Sequence, residues 1–177
     1  MKTKFNTLKI ALIALLIVSC SSNDDSSGSN AVLGTIQLSG QDTSSIGDAL
    51  IVGNVDADAL NTTGTSSSVV LSDEDTTFVN GEPNLVNFLN AFVIVAAEFS
   101  VGNNADVQKA ISMTILKNGE EFSYVCSTPP TSSADNTDCG TGFSVDKSAK
   151  RIVFDNTTVI NVDSGTILTM NGTINYN

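Results

Sequence analysis

The sequence predicts an all-β fold: an antiparallel β-sandwich of about eight to ten short strands, with a closed barrel as the alternative and room for one short helix near residues 84–90. Three observations carry that expectation. From residue 31 onward, short segments alternate apolar and polar side chains with the period of two that a half-buried strand requires. Asn, Gly, Asp and Ser cluster between those segments, and Asn80-Gly81 and Asn118-Gly119 are dipeptides that supply the positive φ angles of tight turns. Apolar residues spaced three and four apart, the mark of an amphipathic helix, are scarce.

Taken in order, Val32, Gly34, Ile36 and Leu38 share one face of a first strand that stops at Ser39-Gly40. Residues 48–55 hold the next strand, and 61–68, nearly all Thr, Ser, Gly and Asn, read as a loop before Val69-Val70-Leu71. Thr76 to Val79 leads into the Asn80-Gly81 turn. Leu85, Phe88 and Leu89 fit one face of a helical turn or two, which is where a helix is expected. The nearly continuous apolar run from Ala91 to Phe99 reads as a central strand covered on both faces. The clearest hairpin sets Ile111, Met113 and Ile115 against Phe122, Tyr124 and Cys126 across Asn118-Gly119. Strands at 142–145, 151–155, 158–162 and 166–176 follow, the last with Leu168, Met170, Gly172, Ile174 and Tyr176 on one face.

The first nineteen residues are of another kind. Lys2, Lys4 and Lys9 precede the apolar run Ile10 to Val18 and the small residue Ser19, which is the layout of a secretory signal. Nine apolar residues are too few for a membrane-spanning helix, which takes about 20. Ile17-Val18-Ser19-Cys20 resembles the lipobox of bacterial lipoproteins. That resemblance implies cleavage before Cys20 and a diacylglyceryl group on its thiol, which would hold the mature chain on a membrane. Residues 21–30, Ser-Ser-Asn-Asp-Asp-Ser-Ser-Gly-Ser-Asn, carry no apolar side chain and read as a disordered, flexible tether. The tether is similar to those of Bacteroidota surface lipoproteins, and the likeness casts Asp24 and Asp25 as a signal for export to the outer face. The other reading of the pair is that it only solubilises the linker. Three regions result: a signal peptide at 1–19, a lipidated tether at 20–30 and one β-sandwich domain at 31–177. The cysteine-bridged loop and the strands ending in Leu168 to Ile174 also resemble small lipoproteins of the same bacterial group, a likeness that implies a fold and no activity.

Removing residues 1–19 from 177 leaves 158, enough for one domain with a core. All 19 acidic residues then face only Lys109, Lys117, Lys147, Lys150 and Arg151, five basic residues, for a net charge of −14. That charge opposes nucleic acid and anionic lipid headgroups as partners, since both require Lys or Arg to displace counterions. Cys126 and Cys139 enclose 12 residues rich in turn formers, and an exported chain makes a disulfide between them the expected state.

Chemistry finds little to work with. The chain has no histidine, which excludes every serine triad that relies on one, and bridging Cys126 to Cys139 leaves no thiol nucleophile outside Cys20. Glu82, Glu98, Glu120 and Glu121 supply the residue type of a glycosidase pair, but the absence of Trp and the presence of only two Tyr leave few surfaces on which a sugar can stack. The chain is therefore read as non-catalytic and as needing no cofactor. Asp56 with Asp58, and Asp73-Glu74-Asp75, are candidate Ca²⁺ contributors, and the second group is the stronger, although calcium takes about six to eight oxygens from several segments. Asp75-Thr76-Thr77 resembles the general O-glycosylation motif of Bacteroidota, which implies a glycan on Thr76 and requires that residue to be exposed. The expected function is a lipid-anchored protein on the outer face of the outer membrane, with an envelope or macromolecule-binding role and a protein or glycan partner. The alternative is a glycan-binding accessory module of an outer-membrane uptake system.

Overall fold

Alternation, strand by strand, builds one sheet that folds over on itself. The structure, a computed structural model, describes residues 32–58, 67–80, 82–99, 107–131 and 136–177. Its elements in chain order are β1 (Gly34–Gly40), α1 (Thr43–Ile46), β2 (Ala49–Val52), β3 (Asn54–Asp56), β4 (Ser67–Ser72), β5 (Thr77–Val79), β6 (Glu82–Asn84), β7 (Asn90–Glu98), β8 (Lys109–Lys117), β9 (Glu120–Thr128), β10 (Ser144–Asp146), β11 (Arg151–Asn161) and β12 (Ile167–Asn175). Ten strands form the main sheet, in the order β2-β1-β12-β11-β9-β8-β7-β4-β3 with β10 beside β11, and β5 and β6 form a separate hairpin. Every pairing is antiparallel.

The two end strands of this order, β2 and β3, are consecutive in the chain and separated only by Gly53, so the sheet nearly closes on itself. One half, β2-β1-β12-β11, faces the other, β9-β8-β7-β4-β3, across a shared core. Ile36, Val52, Leu168, Met170 and Ile174 come from the first half and Leu71, Ile94, Ile111 and Met113 from the second, all nearly or wholly buried in one cluster. Burying a side chain of this size contributes about 1.5–3 kcal/mol. Phe143, just before β10, stacks on Phe154 of β11 with ring centroids 5.7 Å apart.

Two places turn the sheet. At the first, β9 pairs with β11 at Ile160 with Val125 and Asn161 with Tyr124, and Val162 N–H donates to the Ser123 carbonyl at 2.9 Å just past them. Beyond them β9 leaves, and β10 takes the same side of β11 at Arg151 to Val153. The Cys126–Cys139 disulfide joins the departing strand to the segment that replaces it, with Cα atoms 5.1 Å apart. Thr158 N–H donates to the Cys139 carbonyl at 3.3 Å, which holds that segment along β11. Cys126 follows Tyr124 on the buried face of β9, as the alternation predicts. At the second place, Gly53 carries the chain from one half to the other, and its N–H donates to the Ser72 carbonyl at 3.0 Å.

Several elements differ from expectation in informative ways. Residues 84–90 form no helix; β6 ends at Asn84 and the following residues bend. The reason is Asn87, whose side-chain oxygen accepts from the Leu89 and Asn90 N–H groups at 3.0 Å, the local alternative to helix that Asn offers. The strand expected over 48–55 is divided at Gly53, and those expected at 151–155 and 158–162 are one strand, β11, with a bulge between Phe154 and Thr157. The apolar run from Ala91 is central, between β4 and β8, yet only one face enters the core: Phe92, Ile94 and Ala96 do, while Val93 and Val95 are half-buried. The Asn118-Gly119 turn is present as predicted, with φ of 53° and 81°. The leader and tether expected at 1–30 lie outside the described residues, as does most of the loop expected at 61–68.

The crossing at Gly53 leaves no room for a side chain: a Cβ there would lie 2.4 Å from the Glu74 Cα and 2.7 Å from its backbone nitrogen. Gly53→Ala is therefore expected to cost about 1–3 kcal/mol through forced backbone movement, read as a lower urea midpoint at unchanged slope. An unchanged midpoint would mean that the chain crosses without this close approach.

Candidate functional site

One end of the folded sheet gathers the segments most able to meet a ligand. The loop from Gln41 through α1, the segment leading into β7, the β8–β9 turn and the β11–β12 turn all lie there. Gly119 N–H donates to the Leu89 carbonyl at 3.0 Å, and Tyr124, Asn161 and Thr166 converge on Asp42. The opposite end holds the start of β1, the β10–β11 turn and the end of β12, since Asn175 N–H donates to the Leu33 carbonyl and Tyr176 N–H to that of Lys150.

Asp42 is the polar centre of the first end. Its Oδ2 accepts from the Thr166 hydroxyl at 2.7 Å, the Tyr124 hydroxyl at 2.9 Å and the Asn161 amide at 3.0 Å. Its carbonyl also accepts from the Ser45 and Ile46 N–H groups, which starts α1. Partial burial works against ionisation, but the three donors outweigh it and hold the Asp42 carboxyl below its ordinary pKa. Burial, then the bond to Asp42 and its charge, push the Tyr124 phenol far above its ordinary value. A neutral phenol buried against an anion is a hydrogen-bond donor, and its chemistry here is structural.

Asp73 does the same work where β4 ends. Its Oδ1 accepts from the N–H groups of Asp75 and Thr76, and its Oδ2 from the Thr76 hydroxyl at 3.1 Å and the Phe92 N–H at 2.9 Å. The Asn54 amide reaches the carbonyls of Asp73 and Thr76 at 2.8 and 2.9 Å. Both carboxylate oxygens of Asp73 are thus committed to the turn. Glu74 and Asp75 point outward from it as exposed residues, and among the described residues no three His, Cys, Asp or Glu side chains are grouped to hold a metal ion. Thr76 is fully buried, so the exposure expected of it is absent from the folded chain; the hydroxyl is turned inward because it completes the Asp73 turn.

Between these two carboxylate centres lies an open cleft of about 300 Å³. It forms where β4 stops at Ser72: beyond that point β2 faces β7 with no strand between them. Residues 46 and 49–51 line one side, 90–92 and 115–117 the other, with Asp73 at the edge. Ile51 is 55% exposed, and the segment entering β7 holds out Val86, Phe88 and Leu89, each more than 60% exposed. Of the residues whose spacing suggested a helical face, Phe88 and Leu89 stand on this exposed ridge and Leu85 is half-buried. The glutamates do not pair: Glu98 lies 3.6 Å from Lys109 at the opposite end, whereas Glu120 and Glu121 open β9 at this one. Cys20, Asp24 and Asp25 lie outside the described residues.

Compared with known protein families, with curated proteins and with solved structures, the chain matches none of them.

The depressed Asp42 pKa fixes a sign. A carboxylate whose folded pKa lies below its unfolded one contributes stability that is complete above the unfolded value and is lost as pH falls through the folded value. Asp42→Asn should cost about 1–3 kcal/mol at neutral pH, as for a hydrogen-bonded charge. The gap between variant and parent in urea unfolding should close as pH falls below about 4. A gap that stays constant to low pH would mean that the carboxylate's charge is not what Tyr124, Asn161 and Thr166 recognise.

Proposed function

We propose that this chain is a non-catalytic lipoprotein, held in the outer membrane by lipid on Cys20, with its β-sandwich domain displayed to the exterior in an envelope or macromolecule-binding role. The observation that carries the proposal is Ile17-Val18-Ser19-Cys20, placed directly after a basic start and a nine-residue apolar run. Asp24 and Asp25 in the serine-rich tether support outward export. The Cys126–Cys139 disulfide fits an oxidising compartment. In the domain itself, Asp42 and Asp73 are engaged in fixing loops, while an open, largely apolar cleft lined by Asp73 stands nearby, an arrangement suited to binding. A net charge of −14 on the mature chain argues against nucleic acid.

One feature favours the second reading, a glycan-binding accessory module: the Phe88 ring is 69% exposed near the cleft, where a sugar face can stack. Reproducible binding to neutral oligosaccharides on an array, lost in Phe88→Ser, would establish that reading over the first.

The anchor is tested in the native host by labelling cells with a palmitate analogue. The parent chain should incorporate label and fractionate with the outer membrane, and Cys20→Ala should do neither. Protease added to intact cells should remove the domain, and Asp24→Asn with Asp25→Asn should protect it. Label that persists in Cys20→Ala would overturn the anchor; a domain that resists protease until the outer membrane is breached would overturn the display.

A further inference from the structure

We infer that the cleft between β2 and β7, together with the exposed ridge of Val86, Phe88 and Leu89, is a docking surface for a basic polypeptide segment in which Lys or Arg alternates with aliphatic or aromatic side chains. The inference rests on the reading of this domain as a binding module, and the lipid anchor does not enter its test.

The ridge is built. Asn87 accepts from the N–H groups of Leu89 and Asn90, and the Leu89 carbonyl accepts from Gly119, so the turn that carries Phe88 and Leu89 outward is tied to the β8–β9 hairpin. Held in this way, the side chains are 69% and 61% exposed, Val86 is 66% exposed, and Ile51 stands across the cleft at 55%. Large apolar residues grouped on a surface mark interaction sites more often than the same residues scattered singly.

Charge selects the occupant. Asp48, Glu74, Asp75, Glu120, Glu121 and Asp163 are exposed at this end or beside the cleft, where Lys117 is the one basic residue among the five of the mature chain. Lys147, Lys150 and Arg151 lie at the opposite end, in and beside the β10–β11 turn, and Lys109 lies there with Glu98. An apolar ridge at the end of the domain that carries these carboxylates repels an anionic lipid surface, a nucleic acid and a second copy of itself. A cationic, apolar polypeptide satisfies both parts, with the carboxylates steering the approach and the ridge supplying burial. The end that carries the ridge is also the one away from the start of β1, where the chain arrives from the tether.

The test uses the full chain purified in a mild non-ionic detergent, with detergent alone as the blank, and three fluorescent synthetic peptides of equal length. One alternates Lys with Leu, one Lys with Ser, and one Glu with Leu. Fluorescence anisotropy should show the Lys/Leu peptide binding at least tenfold more tightly than either other. Phe88→Ser with Leu89→Ser should remove that advantage, while Val32→Ser, an exposed apolar change at the opposite end, should leave it intact; thermal unfolding of each variant identifies any that fails to fold. Equal binding of Lys/Ser would reduce the effect to charge, equal binding of Glu/Leu to unselective adhesion, and competition by a neutral oligosaccharide would assign the ridge to a sugar. Each of these outcomes, or self-association of the protein through this face, overturns the inference while leaving the palmitate and protease results to decide the anchor.

Discussion

A sheet that must fold over on itself has to break its own hydrogen-bonded ladder somewhere, and in this protein the short ladder left beside the break is clamped by the Asp42 carboxylate. β9 and β11 share two residue pairs before they separate. Within that short ladder Tyr124 of β9 and its partner Asn161 of β11, together with Thr166 of the next turn, all donate to the same oxygen of Asp42, which lies just past the end of β1, two strands from β11. The partners are 82 to 124 residues from Asp42 in sequence, so one ionised group ties three distant segments. Burying hydrogen-bonded charge is costly to set up and more costly to leave half made, so the corner is specified as well as stabilised. On the other side of the break the disulfide does covalent work of the same kind, and closing a loop of this size contributes about 3 kcal/mol in the chain-entropy account.

The remaining closure follows from these constraints. With the corner fixed, the chain can bring β2 and β3 to opposite edges of one sheet and cross between them at Gly53, against the backbone of Glu74. The Asp73 turn then seals the end of β4, and because β4 stops there, the wall of the sandwich has a gap. That gap is the cleft. The acidic residues of the sequence accordingly have two separate tasks. Asp42 through Oδ2 and Asp73 through both carboxylate oxygens hold structure, whereas the exposed carboxylates at the end that carries Phe88 give that end its negative character.

Much of the fold could be read from the chain because its causes are local. The alternation at Ile111, Met113 and Ile115, the Asn-Gly turn and the alternation at Phe122, Tyr124 and Cys126 all act within a few residues, and the hairpin stands as they predict. The cysteine pair was equally legible, since few other partners exist. The unread features depend on contacts between distant residues. Nothing near Asp42 announces Tyr124, Asn161 or Thr166. The apolar spacing at Leu85, Phe88 and Leu89 is compatible with a helix until Asn87 is seen taking the backbone donors that a helix would use. Thr76 lies in a polar run that reads as exposed, and only the position of the Asp73 carboxylate shows why its hydroxyl turns inward. The likeness of residues 17–20 to a lipobox and of residues 21–30 to a tether is another kind of legibility, a resemblance carried by a few consecutive residues that bears on address more than on fold.

Native-state amide hydrogen exchange of Asp42→Ala tests the corner most directly. The account predicts that protection falls first and most at the N–H groups of Val125, Asn161 and Val162, and that the β7–β8 amides from Phe92 to Ile94 and Ile111 to Met113 keep the protection set by global unfolding. Protection lost to the same extent throughout the sheet, or unchanged at the corner, would contradict the claim that Asp42 holds β9 and β11 together where they part.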